Sequence, residues 1–363
     1  MAATSDAQPP QASLPTAQVL GTFSLEIEQQ RQVLSNPEAS LEERLEAFED
    51  IIDSEVGDTN LVRARNLERE FGLRQLYLKF EGGNPTGTQK DRIAFAQAMD
   101  ALRRGFDTIT VATCGNYGVA VALAAALAGL RCVVHVPAAY HTRRIQEMEK
   151  LGAQVVRVPQ DYETTVTVSQ ARAAEMEWFD ANPGGDNTLL QLQAYGEMAY
   201  EIYDDLRDAP RLVATPVSNG TVLAGLHKGF TRLYRRGKTS RLPGLVAGSA
   251  LRKNPIVQAF LDKKASCPDL DPAAIKETAV NEPLINWHAF DGDWALDALR
   301  SSQGWAAGIS DRRMVQLARL IKEKEGMNVL PAATAGLAAL LDLHQQSPLP
   351  GDRYVAILTS RNA

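Results

Sequence analysis

Cysteine is scarce in this chain. Three residues in 363, Cys114, Cys132 and Cys267, are too few and too scattered for a disulfide scaffold or a zinc ribbon. The five histidines fall in no HExxH or other ligand spacing, so the sequence predicts no structural or catalytic metal. Basic charge is not in excess: 38 Lys and Arg against 44 Asp and Glu leave a formal charge of −6, which argues against a nucleic-acid or anionic-membrane partner. The cluster Arg232, Arg235, Arg236, Lys238 and Arg241 lacks the aromatic row of a strand-stacking platform and reads as a solvated helix end and turn. The longest apolar run, Val119 to Leu130, is too short for a bilayer and is closed by Arg131. The start, MAATSDAQPPQASLPTAQ, has neither the basic residues nor the apolar core of a signal peptide. These absences lead to the expectation of a soluble cytoplasmic protein without a membrane or nucleic-acid partner.

What is present is globular. A content of 45% hydrophobic and 23% charged residues suits a folded chain, and the length suffices for two or more domains. Residues 1–22, rich in Ala, Pro, Ser and Gln, are expected to form a flexible tail. Residues 23–52 carry helical patterns, and Ser40 with Glu43 three residues on predicts a capping box. After Thr59, short apolar strands alternate with helices. Strands are predicted at 76–80, 108–112, 132–136, 154–158, 212–215, 244–248 and 354–358. Helices are predicted at 89–104, 117–130, 142–151, 163–182, 195–208, 221–236, 311–324 and 332–344. Between about 251 and 297 the pattern weakens into an irregular insertion with short helices. The rhythm predicts an α/β protein with two open, mostly parallel twisted sheets covered by helices.

Three strand-to-helix junctions hold residues suited to chemistry. At the first, LYLKF (76–80) runs through Gly, Asn and Pro to Lys90 at a helix start. A lysine held in a partly desolvated site loses its proton more easily and can condense with an aldehyde. At the second, Thr113-Cys114-Gly115-Asn116-Tyr117-Gly118 joins a strand to an Ala-rich helix. Its glycines and helix start suit an anion such as a carboxylate, while Cys114 reads as a small buried filler. At the third, Pro216-Val217-Ser218-Asn219-Gly220-Thr221-Val222 makes another anion-binding turn. No G-K-[ST] follows it and no dinucleotide fingerprint is present. The terminal strand YVAIL (354–358) ends in the hydroxyl pair Thr359 and Ser360.

Taken in order, these segments resemble the motifs of the threonine synthase and cysteine synthase family, fold-type II pyridoxal-phosphate enzymes with the tryptophan synthase β-like fold. NPTGTQKDR (84–92) is similar to the family's cofactor-lysine motif, TCGNYG (113–118) to its S-G-N-x-G loop, and PVSNGTV (216–222) to its phosphate loop. LTS (358–360) is similar to its V-L-T-G stretch. The resemblance covers the chain from about Glu55 to the end. It implies that Lys90 carries pyridoxal 5'-phosphate and acts as catalytic base, and that Asn116 holds the cofactor's phenolic oxygen. It implies that Ser218, Asn219, Gly220, Thr221 and Val222 bind the phosphate, with Thr359, or Ser360 in reserve, at the ring nitrogen. A hydroxyl there leaves that nitrogen largely unprotonated and the ring a weaker electron sink. Thr113, Cys114, Gly115, Asn116 and Tyr117 would grip the carboxylate of an amino-acid substrate. The implied domains are 96–189 for the smaller and 53–95 with 190–363 for the larger, the cofactor lying between them in a homodimeric enzyme.

The departures concentrate where substrates are chosen. Ser218, Thr221 and Val222 replace glycine, glycine and asparagine of the family loop, and Gln89 stands where an aromatic residue precedes the lysine. The stretch Gln191 to Gly196 lacks the arginine with which threonine synthases bind a substrate phosphate. The nearest substitutes along the chain are Lys79, Arg92 and Arg143. The resemblance implies a lyase on an amino acid with a β- or γ-leaving group, converting O-phosphohomoserine to threonine and phosphate or using a diverged analogue. The alternative is β-elimination or β-replacement on serine, threonine or an O-activated serine. A binding protein without turnover is the third reading.

Overall fold

The computed structural model of the chain describes residues 25–113, 115–139 and 144–362. The expected tail (1–22), Cys114 and Arg143 lie outside them. The strands are β1 (Leu61–Arg63), β2 (Leu76–Phe80), β3 (Thr108–Ala112), β4 (Arg131–Pro137), β5 (Gln154–Val158), β6 (Phe179–Asp180), β7 (Leu212–Pro216), β8 (Gly244–Ala250), β9 (Trp305–Ile309) and β10 (Tyr354–Leu358). They form a six-stranded sheet of order β1-β2-β10-β7-β8-β9 and a four-stranded sheet of order β5-β4-β3-β6. Every pairing is parallel except β1 with β2, so the expected α/β architecture of two mostly parallel sheets is what the chain forms. Strands β3 and β10 are buried along their whole length, as strands of parallel sheets with both faces covered must be.

The chain divides into two compact units. The larger comprises Ile52–Gln97 and Ala181–Ala363 and contains the six-stranded sheet. The smaller comprises Ala98–Asp180 with the described residues up to Ile51, and contains the four-stranded sheet. In the larger unit β10, the last strand of the chain, lies between β2 and β7 and runs parallel to both. The carboxyl ends of β2, β10 and β7 therefore share one edge, where ligands of open α/β sheets bind. The helix Ala335–Gln346 lies directly on this sheet. A Cβ on Gly336 would stand 2.5 Å from the backbone carbon of Thr215, and one on Gly248 would stand 1.9 Å from the carbonyl oxygen of Ala335.

Several local expectations hold in the structure. The Ser40 amide donates to Glu43 at 2.8 Å and the Glu43 amide donates to Ser40 at 3.2 Å, which is the predicted capping box. Residues 251–297 are irregular up to the start of the helix Gly292–Ser301, with a short helix at Pro255–Leu261 and 3-10 turns at Pro272–Ala274 and Glu282–Leu284. The helix expected over 163–182 instead spans Tyr162–Glu175, and Phe179–Asp180 turns back to pair with β3. That two-residue strand carries no periodicity. It is held by burial of Phe179 against Phe106, ring centroids 5.5 Å apart. The helix expected at 195–208 begins at Thr188, straight after a 3-10 turn at Gly185–Asn187. β9 and the helix Gly292–Ser301 are further elements beyond the predicted set. The small residues of Trp305-Ala-Ala-Gly-Ile309 give β9 a weak signal, and pairing with β8 decides it. Among the described residues no helix is long and apolar enough to cross a membrane, and no group of three or more His, Cys, Asp or Glu could hold a metal ion.

Candidate active site

Lys90 is the first residue of the helix Lys90–Arg103, and the chain on either side of it is tied down. Asp91, fully buried, accepts from the Thr86 amide at 2.9 Å and from the Thr86 hydroxyl at 2.7 Å, closing the turn before the helix. The Gln89 amide donates to Thr359 at 3.0 Å, the Arg361 amide donates to Gly87 at 2.9 Å, and Thr88 forms an isolated bridge with Ser360. Gly87 has φ +83, and a Cβ there would sit 2.3 Å from the Arg361 side chain, so glycine is needed for this approach. Lys90 is half-buried as a whole, but desolvation of its amine lowers the pKa to about 8, against the opposing pull of the Asp291 carboxylate. A buried Asp291 in turn has its pKa raised by desolvation, partly countered by the hydroxyls it accepts from and by Lys90.

The loop after β7 lies in the same unit. Gly220 adopts φ +94, and a Cβ there would meet Ala295 at 2.6 Å and the Asp291 carbonyl at 3.1 Å. Among the described residues, the amides of Ser218, Gly220, Thr221 and Val222 donate to no protein acceptor. The latter two open the helix Thr221–Arg235, whose first-turn donors have no partner within the helix. The loop is joined to the Lys90 side of the unit by Asp291. Its carboxylate accepts from Thr221 Oγ1 at 2.6 Å and from Thr188 Oγ1 at 2.9 Å, and its amide donates to the Asn219 carbonyl at 3.2 Å. Thr359 and Ser360 are both buried beside the Lys90 turn. The Ser360 hydroxyl donates to the Arg361 carbonyl at 3.0 Å, whereas the Thr359 hydroxyl has no hydrogen bond among the described residues.

Thr113, Gly115, Asn116 and Tyr117 belong to the smaller unit. They join β3 to the helix Asn116–Ala128, and Thr113 Oγ1 accepts from the Gly115 amide at 3.3 Å. Gly118 lets this helix start pack closely, since a Cβ would stand 2.5 Å from Met148 Cε. Cys114 falls outside the described residues.

Two of the three cations nearest along the chain to replace a substrate-binding arginine are already paired. Arg92 is buried and forks onto Glu81 through Nε at 2.6 Å and Nη2 at 2.9 Å, and onto Glu201 at 2.6 and 2.9 Å. Lys79, also buried, pairs with Glu201 at 2.5 Å and donates to the Thr59 carbonyl. Both cations are consumed by an internal network, so neither of these nearest substitutes along the chain is available to stand in for that arginine. Gln193 is exposed on its helix, while Gln191 is buried and donates to Gln97 and to the Asn182 carbonyl.

Asp291, Thr188, Asn254 and Asn286 escaped the sequence reading. They come from a helix start and an insertion without motif or period, and only the chain's path brings them to the 217–222 loop. An Asp or Asn in an irregular stretch reads as turn chemistry, so no signal in the sequence would single them out.

The profile of the family described as pyridoxal-phosphate dependent enzyme matches residues 52–360. The threonine synthase of Methanocaldococcus jannaschii is 29% identical over 306 residues, covering 84% of this chain and 74% of that one. The threonine synthase of Mycobacterium tuberculosis is 28% identical over 290 residues, covering 78% and 75%. Among solved structures, a T.th. threonine deaminase superposes with a TM-score of 0.72 at 21% identity, covering 88% of this chain and 97% of that one. Maize serine racemase gives 0.72 at 17% identity, covering 88% and 94%. At these identities the structural likeness speaks for the fold alone. The profile match, however, runs from before β1 to beyond β10, so this chain belongs to the pyridoxal-phosphate-dependent enzyme family and has its tryptophan synthase β-like fold.

Proposed function

We propose that this enzyme is a threonine synthase-like lyase that removes a β- or γ-substituent from an amino acid, with Lys90 as cofactor lysine and proton carrier. The observation that carries the reading is the desolvated Lys90 amine, its pKa lowered to about 8, in the same unit as a loop whose amides lack protein acceptors. These residues fit pyridoxal phosphate. An amine needs its neutral form to condense with an aldehyde, and unpaired amides at a helix start suit a phosphate. Ser218, Asn219, Gly220, Thr221 and Val222 would hold that phosphate. Thr359 would face the ring nitrogen, a choice supported by the Ser360 hydroxyl being engaged with the Arg361 carbonyl. Asn116 would hold the phenolic oxygen, and Thr113, Cys114, Gly115, Asn116 and Tyr117 the substrate carboxylate. These roles are taken residue by residue from the family's motifs.

Bound there, the cofactor supplies an electron sink for the bond broken at the substrate α-carbon. The chain supplies the proton traffic. Lys90 Nζ is neutral in a larger share of molecules near pH 8 than an exposed lysine, so it can take the α-proton and return it. Asp291 favours the protonated form of the same amine and so opposes the effect of burial.

A second reading, β-elimination on serine or threonine, is favoured by the fate of Lys79 and Arg92. With both cations paired internally, neither is available to a substrate phosphate, and a neutral hydroxyl substrate requires none. A substrate screen with the cofactor-loaded protein decides between them. O-phosphohomoserine, O-phosphoserine, O-acetylserine, serine and threonine are offered, and phosphate, ammonia and α-keto acid are measured. Threonine and phosphate from O-phosphohomoserine support the first course. Keto acid and ammonia from serine or threonine support the second. No turnover of any of the five would sink both.

A further inference from the structure

The 217–219 segment is held from one side by side chains that no motif assigns. Asn254 Nδ2 donates to the Ser218 carbonyl at 3.0 Å and to Asn286 Oδ1 at 3.0 Å, with longer approaches to Val217 at 3.4 Å and Leu284 at 3.3 Å. Ser249 Oγ donates to the Val217 carbonyl at 2.6 Å. Asn286 Nδ2 passes the chain on, donating to Asn219 Oδ1 at 2.8 Å and to the His288 carbonyl at 3.0 Å. The Asp291 amide takes the Asn219 carbonyl. Asn254 and Asn286 are 1% and 2% exposed, so solvent cannot replace these contacts.

The consequence follows from peptide geometry. In a planar trans peptide the C=O and the next residue's N–H point in opposite directions. The carbonyls of Val217 and Asn219 are pinned to the wall built by Ser249, Asn254 and Asp291. The amides of Ser218 and Gly220, which share those peptide planes, therefore point away from the wall, and neither donates to a protein acceptor among the described residues. Fixing the Ser218 carbonyl and the Asn219 side chain removes the rotation by which these planes could flip. An anion site whose donors are held before the ligand arrives avoids the ordering cost on binding.

We propose that Asn254 and Asn286 are positioning residues for the cofactor phosphate, orienting the 218–220 amides from behind, Asn254 through the loop's carbonyls and Asn286 through the Asn219 side chain. The inference rests on the reading of that loop as the phosphate cradle. Neither asparagine touches the cofactor in this account: Asn254 acts through the backbone of the loop, and Asn286 through Asn254 and the Asn219 side chain.

The test compares affinity for pyridoxal 5'-phosphate with affinity for pyridoxal, by absorbance titration of the full chain stripped of cofactor. The ratio of the two isolates the phosphate from the lysine chemistry. Asn254→Ser is the informative variant, because Asn254 Oδ1 also caps the helix Pro255–Leu261, accepting from Ile256 at 3.1 Å and Val257 at 3.2 Å. Serine keeps a cap while losing the amide donors. Asn286→Ser is the second variant, so the result does not hang on one protein folding. Each is expected to lower the preference for the phosphorylated form about tenfold, the effect of one lost oriented contact, with pyridoxal affinity within about twofold of the parent. Equal losses for both ligands, or no loss for either, would overturn the proposal. Asn219→Asp, in the loop itself, tests the cradle separately. If it lowers the preference while both serine variants do not, the cradle stands and the positioning role fails. If it leaves the preference unchanged, both fail.

Discussion

Replacing Arg92 by methionine separates a structural role from a substrate-binding one. Arg92 makes four charge-assisted hydrogen bonds of 2.6–2.9 Å to Glu81 and Glu201, and its side chain and that of Glu81 are 4% and 0% exposed. With Lys79 the cluster holds two cations against two carboxylates. Methionine fills much of the stem volume but leaves a buried negative charge in excess. Breaking a buried pair from one side costs about 3–5 kcal/mol, less than four separate bonds would suggest, because such contacts do not add. With about 2.1 cal/mol/K per residue over the roughly 230 residues of the larger unit, that loss lowers Tm by roughly 6–10 °C. Circular dichroism melts of parent and variant measure it. Steady-state kinetics should show the remaining activity reduced alike for phosphorylated and unphosphorylated substrates. An unchanged Tm, with a KM increase confined to O-phosphohomoserine or O-phosphoserine, would refute the reasoning and return Arg92 to the substrate site.

Lys90→Ala should abolish the visible absorbance of lysine-bound cofactor and its fixation by borohydride; labelling of another lysine by peptide mapping would contradict the assignment. For the parent, the rate of borohydride-trappable adduct formation should rise with pH through a midpoint near 8, because desolvation lowers the Lys90 pKa from 10.5 to about 8. Asp291 opposes that shift, so Asp291→Asn should move the midpoint lower, and a move upward would reverse the assigned sign. The same depression makes the unfolded chain the better proton binder between about pH 8 and 10.5, so in the cofactor-free protein Lys90's contribution to stability is least favourable below 8 and improves as pH rises across that window. Gly336→Ala, which drives a Cβ to 2.5 Å from the β7 backbone, should cost about 1–3 kcal/mol in urea unfolding, and an unchanged midpoint would mean the helix can lift off the sheet freely.

The sequence by itself determined the alternation of strands and helices, and with it a parallel α/β fold, because buried strands and amphipathic helices leave periods that survive without tertiary context. It also marked Lys90, the 218–222 loop and Thr359, since each lies where an apolar strand breaks into glycine, asparagine or hydroxyl residues. Tertiary structure alone decided what surrounds them. That β10 enters between β2 and β7 is a matter of pairing over nearly three hundred residues, which no local pattern encodes. Lys79 and Arg92 read along the chain as cations available to a ligand, and only their burial against Glu81 and Glu201 shows them spent. Asp291, Asn254 and Asn286 sit in stretches whose sequence reads as loop. Their chemistry arises from where the chain's path carries them, because a hydrogen bond or a pKa shift depends on distance and burial, and neither is written in spacing along the chain.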